Sequence, residues 1–368
     1  MSAFSLTRTS PQSLARLGAL TTNHGVLNTP FFMPIATKGA IKTISTVDLE
    51  RLAGTILLAN TYHLYLRPGL ETLKQLGGLH RMMSWNGAIL TDSGGYQVFS
   101  LSGLRKITEE GVAFQSHIDG SRHLLSPELS MEIQSIIGSD IRMVFDECTP
   151  AGSTREYLID SLARTTRWAE RCKNAHTDSS LLFGIVQGGT DLELRAQHAR
   201  DITSIGFDGY AIGGLSVGEP FVLSCNVVAS MNELLPKNSV RYFMGGAQPH
   251  EIVEYVRRGI DLFDCVLPTR NARHGLLYRF THGEVHREGF YETVHITNEQ
   301  WKYSTTPLAN TFDTDSISQE LGRYTLGYLR HLFSIDEMLG ARLLTLANLK
   351  FYLDLMSRIR GAIEAGVL

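Results

Sequence analysis

The chain has 368 residues, 43% of them apolar, and its 34 Lys+Arg against 37 Asp+Glu leave a formal charge of −3. That length suits one large α/β barrel or two ordinary domains, and the charge balance excludes a general basic coat, so any anionic partner must meet a local patch. The four cysteines (Cys148, Cys172, Cys225, Cys265) include no close-spaced pair, which argues for reduced thiols over a disulfide framework.

The amino-terminal "MSAFSLTRTS" lacks the apolar core of a signal peptide, and no apolar run reaches the ~20 residues of a membrane span. A cytoplasmic protein without a membrane partner is expected. Residues 1–30 include "GALTTNHGVLNTP", which predicts a small β-hairpin element. Eight strand-like runs come next: "FFMPIA" (31–36), "TILLAN" (55–60), "GAILTD" (87–92), "RMVFDE" (142–147), "FGIVQG" (183–188), "YAIGGL" (210–215), "YFMGGA" (242–247) and "LFDCVL" (262–267). Amphipathic stretches separate most of them, among them "SPELSMEIQSIIG", "REYLIDSLARTTRWAERCKNAH", "LELRAQHARDITSIG" and "PHEIVEYVRRG". Short bounded runs alternating with 3.6-period segments predict βα units and a parallel sheet.

Eight runs fit a closed (β/α)8 TIM barrel over residues 31–275. A doubly wound sheet is the alternative, but no Gly-x-Gly-x-x-Gly turn follows the first run. Beyond the eighth, "LYRFTHGEVHREGFYETVHI" and the polar "STTPLANTFDTDSISQE" predict an inserted subdomain at 276–335, before closing helices at 336–368.

Active sites of such barrels form at the carboxyl ends of the strands. There the third run ends in Asp92, the fourth in Asp146 and Glu147, the fifth in Gln187, the sixth in Gly213 and Gly214, the seventh in Met244, Gly245 and Gly246, and the eighth carries Asp264. Each has a structural alternative: Asp92 as a helix cap, Gln187 as a satisfied buried amide, the glycines as tight turns, Asp264 as an acid bonded to backbone amides. Together, three acids and an amide converge on one rim. No Cys-rich metal set or Walker-type loop is present. Two carboxylates facing one anomeric carbon can exchange a glycosidic bond, and a third with an amide can read a heterocycle's edge. The residues predict glycosyl transfer with a planar base as leaving group.

These strand ends resemble those of the bacterial tRNA-guanine transglycosylases. The matching stretches are "NTYHLYLRPG" (60–69), "TDSGGYQVFS" (91–100), "FDECTP" (145–150), "GIVQGG" (184–189), "YAIGGLSVGE" (210–219), "FDCVLPTRNARHG" (263–275) and "LGARLLTLANL" (339–349). The resemblance implies an enzyme that replaces the wobble guanine of GUN-anticodon tRNAs by a 7-deazaguanine. It implies Asp264 as the nucleophile at C1′ and Asp92 as the acid/base. Asp146 would accept from the base's N1–H and amine, with Gln187 and Gly214 donating to O6. Tyr96 and Met244 would sandwich the ring, and Ser93, Gly94, Gly95 and Gly213 would complete the base and sugar site. The Leu215–Ser216 peptide, steadied by Glu219, would face the 7-substituent. Cys148 and Val217 match the type that takes the aminomethyl base preQ1, so preQ1 is favoured over queuine.

The same resemblance makes Thr269, Arg270, Asn271, Ala272 and Arg273 an anticodon-gripping loop. Gly245, Gly246, Ala247, Gln248, Pro249, His250 and Glu251 offer a second RNA contact. In one respect the chain departs from the family. The zinc ligands of the family's inserted subdomain fall at Ser316, Ser318, Leu321 and Ala347, and no cysteine follows Cys265. No zinc or other cofactor is expected, and apolar packing is expected in its place. A homodimer, supported in the family by that subdomain, is the expected assembly.

Overall fold

The computed structural model describes residues 3–101, 105–150, 152–309 and 315–368. The chain opens with an antiparallel sheet of β1 (Phe4–Thr9), β2 (Arg16–Thr22) and β3 (Gly25–Thr29). The foreseen hairpin is β2–β3, with Leu20 opposite Leu27 and both buried. β1 adds a third strand, since Phe4 turns its ring inward while Ser5 to Thr9 stay exposed.

The barrel strands begin with β4 (Phe31–Met33), β5 (Ile56–Ala59) and β6 (Ala88–Thr91). A small antiparallel sheet of β7 (Arg105–Ile107), β8 (Val112–Gln115) and β9 (Arg122–Leu125) then interrupts the repeat. The barrel resumes with β10 (Ile141–Met143), β11 (Leu181–Val186), β12 (Gly209–Ile212), β13 (Val240–Phe243) and β14 (Leu262–Asp264). The eight barrel strands pair in parallel in the order β4-β14-β13-β12-β11-β10-β6-β5. A parallel bridge between Ile35 and Leu58 closes the ring, with Ala36 N donating to Leu58 O at 2.7 Å. The expected (β/α)8 barrel is the observed fold. Its strands are buried at every position, as parallel strands with covered faces must be.

The expected helices occupy Pro127–Ile137, Arg155–Ala175, Leu192–Ile205 and Pro249–Arg257. Ser126, Thr154 and Asp191 cap the first three through side-chain oxygens. Four of the eight barrel strands (β10 to β13) begin one or two residues before their apolar runs, and all eight stop sooner. The fourth run continues as Val144–Glu147, buried but beyond the end of β10. That difference has a physical origin: residues past a strand end stay buried where loops crowd over the barrel mouth. The β7–β9 sheet is held by Tyr62 Oη to His117 Nδ1 (3.0 Å), Tyr65 Oη to His123 Nδ1 (2.9 Å) and Trp168 Nε1 donating to Glu109 O (2.8 Å).

The expected loop "TRNAR" is a helix, Leu267–Arg273. Pro268 lies past the end of β14, in the first turn of this helix, where its missing N–H costs nothing. After it come the hairpin β15 (Leu276–Phe280) and β16 (Tyr291–His295), then helices Ser316–Leu321 and Leu326–Ser334. Residues 310–314 of the expected subdomain lie outside the described residues. The closing helix, Met338–Glu364, carries a buried Asn348 that accepts from Tyr278 N (2.9 Å) and donates to Pro268 O (3.0 Å) and Leu276 O (2.8 Å). One amide thus ties the Arg270 helix, the hairpin and the closing helix together. Among the described residues no helix is long and apolar enough to cross a membrane.

Candidate active site

A cavity of about 430 Å³ opens at the carboxyl end of the barrel. It brings together Asp92, Ser93, Tyr96, Asp146, Cys148, Gln187, Gly213, Gly214, Leu215, Val217, Met244, Gly245 and Asp264, all foreseen. Gly94, Gly95 and Glu219 stand behind the wall. A Cβ at Gly95 would lie 2.5 Å from Asp146 O, so only glycine lets the turn after β6 pass this close.

Asp264 ends β14 with 6% exposure. Its Oδ1 accepts from Tyr242 Oη at 2.5 Å and Gly245 N at 2.8 Å; among the described residues Oδ2 accepts from none. Burial raises its pKa, against the Tyr242 and Gly245 bonds. Asp92 accepts from Thr61 N at 2.9 Å on Oδ1 and from the Asn60 amide on Oδ2. Burial pushes Asp92 up to about 6 despite those donors. Tyr242, which donates to Asp264, lines the same cavity as both carboxylates.

Asp146 lies deeper. Ser93 Oγ donates to its Oδ1 (2.9 Å) and Gln187 Nε2 to its Oδ2 (2.7 Å), while burial raises its pKa. Gln187 Oε1 is buried without a partner among the described residues, an unmet acceptor of the kind that needs an explanation. Glu147, next in sequence, points away and binds Tyr157 Oη (2.5 Å) and Arg164. At the sixth strand end, Glu219 accepts from Ser216 N (2.6 Å), Val217 N (3.0 Å) and Ser224 Oγ (2.5 Å). Burial pushes Glu219 up, yet these bonds bring it below its ordinary value. With the Ser216 N–H held there, planarity turns the Leu215 carbonyl the opposite way. Cys148 is driven up to about 12, first by burial and then by Asp146, so it is a thiol at the wall, not a thiolate.

Asn60, His63, Gln97 and Tyr242 also line or brace the cavity and had not been assigned roles. Asn60 closes the second apolar run, where a polar strand end was as visible as Asp92. Tyr242 opens the seventh strand-like run and was given no role of its own. Burial, Lys38 and His117 lower His63 to about 4, which keeps it neutral.

The expected RNA contacts divide by exposure. Arg270 is exposed and Arg273 half-buried on the helix after β14, with Arg273 Nη1 donating to Thr269 O at 2.8 Å. Thr269 and Ala272 face inward, and Asn271 donates to Tyr278 Oη at 2.7 Å. In the second stretch Gly245 and His250 are exposed, Gly246, Ala247 and Pro249 are buried, and Glu251 accepts from Gln248 N at 2.7 Å as a helix cap. The exposed cation is therefore a helix face, with the inward residues serving as its seat.

The donor set for the zinc that the resemblance implies is not there: Leu321 and Ala347 are apolar and buried, and Ser318 Oγ donates to Asp315 at 2.7 Å. Elsewhere His24, His80 and Asp140 bring ligand atoms within 4.8 Å. Their imidazoles stack 3.8 Å apart at 16°, so one ion cannot lie in both ring planes.

With this geometry established, comparison with known proteins is specific. Residues 11–368 match the family model described as queuine tRNA-ribosyltransferase. Curated relatives named queuine tRNA-ribosyltransferase include one from Pelotomaculum thermopropionicum, 48% identical over 99% of this chain and 95% of its own. Another, from Solidesulfovibrio magneticus, is 50% identical over 96% and 91%. A third, from Halothermothrix orenii, is 47% identical over 100% and 95%. A barrel whose mouth gathers three acids around one cavity, matched over residues 11–368, belongs to the queuine tRNA-ribosyltransferase family, a family of pentosyltransferases.

Proposed function

We propose that this enzyme exchanges guanine at the wobble position of GUN-anticodon tRNAs for a 7-deazaguanine, with preQ1 preferred over queuine. The observation that carries the proposal is the placement of Asp264 and Asp92 around one cavity, with Asp146 and Gln187 in its wall. Asp264 Oδ2, free of described partners, attacks C1′ of the ribose. The C1′–N9 bond breaks and its electron pair leaves with guanine, which takes up a proton, leaving an aspartyl-ribose ester. The incoming base gives its N9 proton to Asp92, attacks C1′, and the ester bond returns its electrons to Asp264.

Base recognition uses the deeper groups. Asp146 accepts from N1–H and the 2-amine, and Gly214 N–H donates to O6. Gln187 Nε2 gives one N–H to Asp146 at 2.7 Å and has a second N–H to donate there as well. Tyr96 and Met244 flank the ring. The Leu215 carbonyl accepts from the aminomethyl group of preQ1. Arg270 and Arg273 grip anticodon phosphates, and the wobble nucleotide leaves its stack to enter the cavity. We also propose that the subdomain after β14 is held without zinc, by burial of Ile317, Leu321 and Leu326; one tightly held zinc per purified chain would contradict this. A homodimer is the proposed assembly.

The test is guanine washout from a tRNA labelled at the wobble guanine, with excess preQ1 or queuine. Release by wild type and not by Asp264→Asn is expected, faster with preQ1. No release with either base would refute the proposal.

A further inference from the structure

Arg195, on the helix Leu192–Ile205, is fully buried and forms no ion pair among the described residues. Its donors fan out to three carbonyls: Nε to Gly189 O (2.8 Å), Nη1 to Val186 O (2.8 Å) and Nη2 to Gly213 O (2.7 Å). Burying a guanidinium without a carboxylate is expensive. If its work were only to clip the ends of β11 and β12 together, a neutral donor would do so at lower cost.

The third carbonyl shows what else the charge does. Gly213 O and Gly214 N–H belong to one peptide, and in a planar trans peptide they point in opposite directions. With the carbonyl held by Arg195, the N–H faces the cavity that Gly213 and Gly214 line, and it donates to no described residue. Gly214 has φ +66, and a Cβ there would sit 2.3 Å from Gln187 Oε1 and 3.7 Å from Arg195 Nη2. The peptide is thus a thin wall between a cation and the cavity. Burial draws Arg195 down to about 9, so it still carries its charge at neutral pH. Its helix neighbour His198 accepts from Gln187 N at 2.9 Å and fixes the other strand end.

We propose that Arg195 is a positioning residue for the departing base, acting through the Gly213–Gly214 peptide. When C1′–N9 breaks, the electron pair passes to the base and spreads onto its exocyclic oxygen. A carbonyl bonded to a cation polarises its own amide, so the Gly214 N–H strengthens where that charge gathers. Arg195 transfers no proton. The inference rests on the transglycosylation proposed above and names a group in this chain that makes the base leave.

The test compares Arg195→Gln and Arg195→Lys in guanine washout, and measures inhibition of washout by free guanine and by 2-aminopurine, which lacks the exocyclic oxygen. In Arg195→Gln, kcat is expected to fall about 10- to 50-fold, with KM for tRNA unchanged. Guanine should lose about tenfold in inhibition while 2-aminopurine keeps its wild-type value. Arg195→Lys, which keeps the charge, should recover kcat to within about fivefold of wild type, and it carries the test if the glutamine variant does not fold. A wild type that exchanges, with guanine and 2-aminopurine weakened alike or kcat unaffected, overturns the role of Arg195 alone. A wild type that releases no guanine overturns the transglycosylation reading and this proposal together.

Discussion

The two ends of the barrel treat buried aspartates differently. Before β14, Asp261 is fully buried and is met by Arg16 through both carboxylate oxygens, at 2.9 and 2.5 Å. Three residues on, Asp264 is nearly as buried but among the described residues is met only by a phenol and an amide. The same contrast brackets β10: Asp140 before it binds the His24 and His80 rings, whereas Asp146 after it has a hydroxyl and a carboxamide. At the closed end Asp261 is paired with a guanidinium and Asp140 is met by two imidazole rings. At the mouth, neutral donors orient the acids, and among the described residues no cation pairs with them. An acid that is buried and oriented but unpaired is available for chemistry.

The strongest break in that comparison comes from neutralising one acid at each end. Asp264→Asn should abolish exchange by at least about 10⁴-fold while thermal unfolding stays at or above wild type, because an unpaired buried charge is removed. Arg16→Met should do the reverse. It leaves Asp261 buried and unpaired, costing about 3–5 kcal/mol of stability, with kcat per folded molecule near wild type at low temperature. Chemical denaturation and single-turnover exchange on both variants read the contrast directly.

Smaller effects sharpen it. Asp146→Asn should lower kcat/KM for the incoming base by roughly 10²-fold, because an amide presents a donor where the base presents N–H groups; competition between guanine and preQ1 measures it. Asp92 supplies a pH signature. Its folded pKa of about 6 means it is protonated below that value and can accept a proton only above it. Exchange should therefore rise through pH 6 and level off. The sign for stability is opposite: a carboxyl raised in the folded state binds its proton more tightly there, so the Asp92 contribution declines between about pH 4 and 6. Arg270→Ala should have the least effect, raising KM for tRNA by about 1–2 kcal/mol and flattening its salt dependence.

The contrast between the two ends also bears on how far the sequence could be read. The barrel was legible because each strand is a short apolar run bounded by turn residues, and the mouth because its acids fall at run ends. Asp264 stood out as a charge inside an apolar run with no cation beside it in sequence. The parts that were not legible depend on contacts between distant segments. Tyr242 orients the Asp264 carboxylate from the neighbouring strand, and nothing local marks it, whereas Asn60, which orients Asp92, was a polar run end left without a role. The helix Leu267–Arg273 read as a loop because Pro268 signals a break, and the helical turn beyond it is fixed by the seat that Asn348 provides from the closing helix. The β7–β9 sheet was passed over because its strands of three and four residues pair antiparallel outside the βα rhythm.

The most direct test of the central claim is to quench the enzyme during turnover with wobble-labelled tRNA and map any protein–RNA adduct by mass spectrometry. A ribose ester on Asp264 is the predicted result, present in wild type and absent in Asp264→Asn. An adduct on Asp92, or exchange that persists without Asp264, would contradict it.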